Sequence, residues 1–106
     1  MRYETKQNTT EYTVLTTADQ VIIVTGFSFT PTAVLVAYVT YGVADNTERY
    51  YTSFGGGQQM FGLVNTNELI INSITFDTVN DEVDLSIRNA SANTLYIEQV
   101  IVTAVG

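Results

Sequence analysis

Ala33-Val34-Leu35-Val36-Ala37-Tyr38-Val39-Thr40-Tyr41 decides the fold class. Successive side chains of an extended strand point to opposite faces, so Ala33, Leu35, Ala37, Val39 and Tyr41 share one face and Val34, Val36, Tyr38 and Thr40 the other. Both faces are largely apolar, and no helical period runs through the segment. It reads as a long strand with one face on a core and the other against a second layer, whether a neighbouring sheet or another subunit.

The rest of the chain agrees in chemistry. Thirty-eight of the 106 residues are Val, Ile or Thr; β-branched side chains are stiff at χ1 and fit a pleated surface. His, Cys and Trp are absent, which removes the usual general base, the activated thiol and the nitrogen and sulfur metal ligands. With no disulfide to close loops, stability has to come from apolar burial, sheet ladders or neighbouring chains. A chain of this length is one domain that buries roughly 65% of its unfolded surface.

Working outward from residues 33 to 41, strands are predicted on both sides. Residues 1–10 are polar and form an extended N-terminal arm that either frays or docks, leaving 11–106 as one β-sandwich domain. Tyr12, Val14 and Thr16 alternate in a first strand that ends at an Ala18-Asp19-Gln20 turn. Val21-Ile22-Ile23-Val24 is continuously apolar, so both of its faces should be covered, as in a central strand. Gly26 permits a tight bend, and Phe27-Ser28-Phe29-Thr30-Pro31 makes a corner.

After 33 to 41, Gly42 to Thr47 is a loop and Glu48 to Phe54 a shorter strand. Gly55-Gly56-Gly57-Gln58-Gln59 marks a flexible excursion, its glycines suited to close backbone contact or a symmetry axis. Met60 to Val64 and Glu68 to Ile71 can pair as a hairpin around Asn65-Thr66-Asn67. Asn72 and Ser73 then obscure the start of Ile74 to Phe76. Val83, Leu85 and Ile87 alternate with Glu82, Asp84, Ser86 and Arg88 in the clearest half-buried strand, and Leu95 to Ala104 is the last. Seven to nine short strands at this spacing predict an all-β, antiparallel, jelly-roll-like sandwich.

Composition narrows the function classes. The formal charge is −7, with eleven carboxylates against four cations. Four scattered cations cannot line a phosphate-binding groove, so neither nucleic acid nor an anionic membrane surface is an expected partner. No apolar run reaches transmembrane length, and the cationic N-terminus lacks the apolar segment of a secretory signal. Asp77, Asn80, Asp81, Glu82 and Asp84 gather oxygen ligands around one turn, but without EF-hand spacing or its glycine they read as a solvated turn. The Gly55 to Gly57 triplet has no following Lys or helix and is not a phosphate loop. No pair of carboxylates is placed for hydrolysis, so no enzyme, metal or cofactor is expected. Tyr38, Tyr41, Tyr50, Tyr51 and Phe54 fall on two adjoining strands; such rings anchor subunit interfaces and, with Asp45 and Asn46 nearby, can also bind a sugar.

The stretch Val24-Thr25-Gly26-Phe27-Ser28-Phe29-Thr30-Pro31-Thr32-Ala33-Val34-Leu35-Val36 resembles the glycine, aromatic, proline, apolar-strand segment of small β domains in virion proteins of tailed bacteriophages. The elements Ile74-Thr75-Phe76, Val83-Asp84-Leu85, Arg88-Asn89 and Tyr96-Ile97-Glu98-Gln99-Val100-Ile101-Val102 are similar as well, so the resemblance spans about the last 80 residues. It implies a non-enzymatic structural protein of the virion, a capsid decoration or head-fibre subunit. Such a protein is a homotrimer touching the major capsid protein, with a host glycan as a further ligand. A chain of 106 residues without a fibre shaft suits a small virion component better than a long tail fibre. The same pattern also resembles sugar-binding modules of the H-type lectin kind, which makes a carbohydrate- or receptor-binding module the alternative. A bacterial scaffold unrelated to phage is a third class.

Overall fold

The computed structural model describes residues 2–42, 47–56, 59–61 and 69–106, with the backbone alone at 42, 47–51, 53–56 and 59–61. They form an all-β antiparallel sandwich of two sheets. The strands are β1 (Tyr3–Asn8), β2 (Tyr12–Val14), β3 (Asp19–Val24), β4 (Ala33–Gly42), β5 (Thr47–Gly56), β6 (Gln59–Phe61), β7 (Leu69–Asp77), β8 (Glu82–Asn89) and β9 (Leu95–Val105). The large sheet has the order β1-β9-β4-β5-β6, with β2 also on β9; the small sheet has the order β3-β8-β7.

The stretch from 33 to 41 is the strand its pattern predicts, and its two faces part as expected. Val34, Val36, Tyr38 and Thr40 are buried between the sheets, while Leu35 is 52% exposed on the outer side. Opposite them the small sheet contributes Ile22, Val24, Val83, Leu85, Ile87, Leu69, Ile71 and Ile74 to one continuous core. Phe27 and Phe29, from the corner before Pro31, join that core. Gly26 leads into the corner at a φ of 94°, a conformation that side-chain-bearing residues rarely adopt.

Several local expectations differ from the structure. Residues 21 to 24 are not doubly covered: β3 is an edge strand, Ile22 and Val24 face the core, and Val21 and Ile23 are 56% and 43% exposed. A run of four β-branched residues fits an edge strand as readily as a central one, because branching favours the pleat and not a particular neighbour. The turn before β3 lies earlier than Ala18 to Gln20. It is closed by the Ala18 amide donating to the Leu15 carbonyl, and Asp19 already belongs to the strand. The polar N-terminal residues dock, pairing Tyr3 to Asn8 with Val105 to Val100.

Gly55 and Gly56 continue β5 and do not begin a loop. They pair with Val34 and Ala33 on one side and with Met60 and Gln59 on the other. Ladder partners on both flanks outweigh the entropy that glycine loses in a strand. The partner of β6 is therefore β5; Gly57 and the proposed 65 to 67 hairpin turn lie outside the described residues. The ambiguity at Asn72 and Ser73 has a structural cause. β7 runs unbroken from Leu69 to Asp77, and its register against β8 shifts between Ile71 and Ser73, leaving Asn72 as a bulge.

Candidate functional site

Cross-strand register builds the outer face of the large sheet. Ala33 of β4, Val105 of β9 and Tyr3 of β1 form one row, Leu35, Thr103 and Thr5 the next, and Ala37, Ile101 and Gln7 a third. None of these nine side chains is charged. At the far end Tyr41 pairs with Tyr96, their rings stacked at 6.4 Å and 26°. Between these regions β9 bulges: Val39 pairs with Gln99 and Thr40 with Ile97, which leaves Glu98 as the extra residue.

The aromatic residues singled out from sequence do not gather on one surface. Tyr38 is fully buried in the core, on the opposite face of β4 from Tyr41, and so cannot meet an external ligand. Register pairs Tyr51 with Tyr38, Tyr50 with Val39 and Phe54 with Leu35; the side chains of Tyr50, Tyr51 and Phe54 lie outside the described residues. Tyr96, which the sequence reading passed over, is the ring that stacks on Tyr41. The alternation of β9 places Tyr96 opposite the buried Leu95 and Ile97, but its pairing with Tyr41 depends on the bulge at Glu98, which no local pattern announces.

The outer face of the small sheet is mixed: it exposes Val21 and Ile23 of β3 and also gathers carboxylates. Asp77 pairs with Glu82 across the β7–β8 turn, and Asp84 follows on the same face, so that one oxygen from each carboxylate lies within 4.8 Å of the others. Asp77 is committed to the turn. Its Oδ1 accepts the Val79 and Asn80 amides at 2.9 and 3.1 Å, and its Oδ2 accepts the Asn80 side-chain amide at 2.9 Å. These bonds, the Asn80 side chain first, hold the Asp77 pKa below its ordinary 3.8. Glu82 and Asp84 move the other way. Desolvation, then the neighbouring carboxylates, raise Glu82 above 4.5, and desolvation followed by the Asp77 charge raises Asp84 above 3.8. The Asp84 Oδ1 atom is shielded from solvent and meets no donor among the described residues. This cluster concentrates negative charge on the outer face of the small sheet.

The edge where β3 runs beside β1 is blunted. The Gln20 side-chain amide donates to the Val21 carbonyl at 2.8 Å, and that of Asn8 to the Ile23 carbonyl at 2.9 Å. Alternate carbonyls of the β3 edge are thereby occupied, which discourages strand addition there. Beside them Glu4 of β1 accepts the Ser28 amide at 2.6 Å and the Ser28 hydroxyl at 2.9 Å. These bonds, the amide first, hold Glu4 below its ordinary 4.5. No family model, curated protein or solved structure matches the chain.

Proposed function

We propose that this chain is a non-enzymatic structural component of a bacteriophage virion, a capsid decoration or head-fibre subunit, and that it docks through the outer face of its large sheet. Contacts are shared among copies in a homo-oligomer, trimeric in the group it resembles, and with the major capsid protein. The resemblance of residues 24–36 to phage virion β domains supports the setting. The observation that carries the docking is the set of uncharged rows around the half-exposed Leu35, whereas on the small-sheet face the exposed Val21 and Ile23 lie among the Asp77, Glu82 and Asp84 carboxylates.

Physical chemistry turns that contrast into an orientation. Copies with a net charge of −7 repel one another through their acidic clusters, whereas the uncharged rows around Leu35 can be desolvated at low electrostatic expense. β4 is ten residues long and the sheet is five strands wide along its main path. The whole sheet face measures roughly 33 Å by 19 Å, or about 630 Å² per partner, at the lower end of a stable interface, so docking would use the uncharged rows on β1, β9 and β4 together with their surroundings. The acidic small-sheet face then looks to solvent.

Cosedimentation with assembled phage shells lacking this protein tests the reading: the wild-type chain should bind and Leu35→Lys should not. Equal binding by both would overturn it. A second reading, a glycan-binding module, draws on the Tyr41–Tyr96 pair, because stacked, partly exposed rings on a flat face can receive a sugar. Specific binding on a glycan array that Tyr96→Ala abolishes, with assembly intact, would favour it.

A further inference from the structure

Beyond the docking of a sheet face, we infer that β1 is an exchangeable strand, which leaves its own β9 and pairs in the same register with β9 of a second copy of this chain. Three observations support it. First, β1 contributes no buried side chain; Tyr3, Thr5 and Gln7 are exposed, and Glu4, Lys6 and Asn8 are only half-buried at the rim. The neighbouring β2, half as long, buries Val14. β1 can therefore depart without opening the core.

Second, a natural hinge follows it. Thr9, Thr10 and Glu11 are exposed and belong to no strand. They lie where the ladder along β9 is interrupted, between Asn8↔Val100 and Tyr12↔Ile97. The bulged Glu98 falls in that gap. Straightening these residues breaks the bond from the Thr10 amide to Asn8 Oδ1 at 2.9 Å, while the backbone pairing of β2 with β9 stays in place.

Third, the vacated position specifies its occupant. An incoming strand has to supply a carboxylate to the Ser28 amide and hydroxyl and, four residues on along the same side, an amide to the Ile23 carbonyl. It also has to offer a hydroxyl to Thr103 and an acceptor to the Gln99 side-chain amide. Glu4, Asn8, Thr5 and Gln7 of another copy meet all of these at once. An arbitrary strand would restore only the backbone ladder. Since exchanged and closed forms make the same contacts apart from that hinge bond, local concentration and the hinge set the balance between them, and packing copies side by side on an assembly favours exchange.

The absence of cysteine makes disulfide capture clean. Thr5 and Thr103 are register partners with hydroxyls 3.1 Å apart. Full-length T5C and T103C would be mixed at high concentration, incubated and captured by oxidation or a short bifunctional thiol cross-linker. The control pair is V79C with T103C, since Val79 is 88% exposed on the distant β7–β8 turn. The double variant T5C/T103C, captured at high dilution, should close within one chain. Exchange predicts a T5C–T103C heterodimer about tenfold above the control pair, rising with concentration. Heterodimer no more abundant than in the control, with the double variant closing readily, would overturn the inference. Because Thr5 and Thr103 share a row with Leu35, the cross-linking is repeated with Leu35→Lys added to both chains; exchange predicts the same heterodimer there, whereas its loss would trace the capture to face docking and overturn the inference.

Discussion

The side-chain amide of Asn89 donates to the carbonyl of Val14 across 2.8 Å. This joins the end of β8 in the small sheet to the end of β2 in the large one. Asn89 is fully buried, and its amide also reaches the Asn93 carbonyl at 2.8 Å while its Oδ1 accepts the Ser91 amide and hydroxyl. One side chain thus closes the β8–β9 turn and fastens the two sheets at that end.

Asn89→Ala should therefore destabilise the chain by about 2 to 3 kcal/mol, because it removes the partner of the Val14 and Asn93 carbonyls and of the two Ser91 donors at once. Urea unfolding measures the loss. A change under about 0.5 kcal/mol, the range of an ordinary surface substitution, would contradict this role.

Thr17 occupies the left-handed region with a φ of 61°, inside the turn that the Ala18 amide closes on Leu15. A β-branched residue is strained there, and glycine is not. Thr17→Gly should stabilise the protein by roughly 0.5 to 1 kcal/mol, the relief of strain exceeding the added freedom of the unfolded chain. A lowered thermal midpoint would count against this assignment of strain.

Stability should peak on the acidic side of neutrality. Glu82 and Asp84 have folded pKa values above 4.5 and 3.8, so their ionisation penalises the folded state at neutral pH. That penalty is relieved as the pH falls through those raised values. Glu4 and Asp77 have folded values below 4.5 and 3.8; the stability they contribute is present above those ordinary values and is lost as the pH falls through the folded ones. Thermal melts across this range should rise and then fall on acidification, and the double variant E82Q/D84N should remove the rise while keeping the fall. A rise of undiminished size in that variant would refute the assignment.

These features differ in how far sequence patterns reach. The sandwich and its core follow from period-two alternation, clearest in Val83, Leu85 and Ile87, because alternation is a local property that one strand carries alone. Edge or centre is not local. Val21-Ile22-Ile23-Val24 reads as doubly covered, yet among the described residues β3 pairs with β8 alone and its outer side chains, Val21 and Ile23, stay exposed. The same limit separates Tyr38 from Tyr41, whose opposite faces are legible, and conceals Tyr96, whose stacking depends on register across a bulge. Gly55 and Gly56 read as a break because glycine weakens a strand on its own; flanking β4 and β6 reverse that preference. The acidic turn was visible as a charge cluster, but its division into lowered and raised carboxylates depends on which of them receives the turn amides.

Sedimentation velocity of the intact chain over a concentration series, beside Leu35→Lys and Val79→Lys, tests the docking face most directly. Wild type and Val79→Lys should self-associate as concentration rises. Leu35→Lys should lose the face-docked association and sediment more slowly than wild type at every matched concentration, with an unfolding free energy within about 0.5 kcal/mol of wild type, since the substitution lies at a half-exposed position. Identical sedimentation of wild type and Leu35→Lys at every concentration would contradict the account.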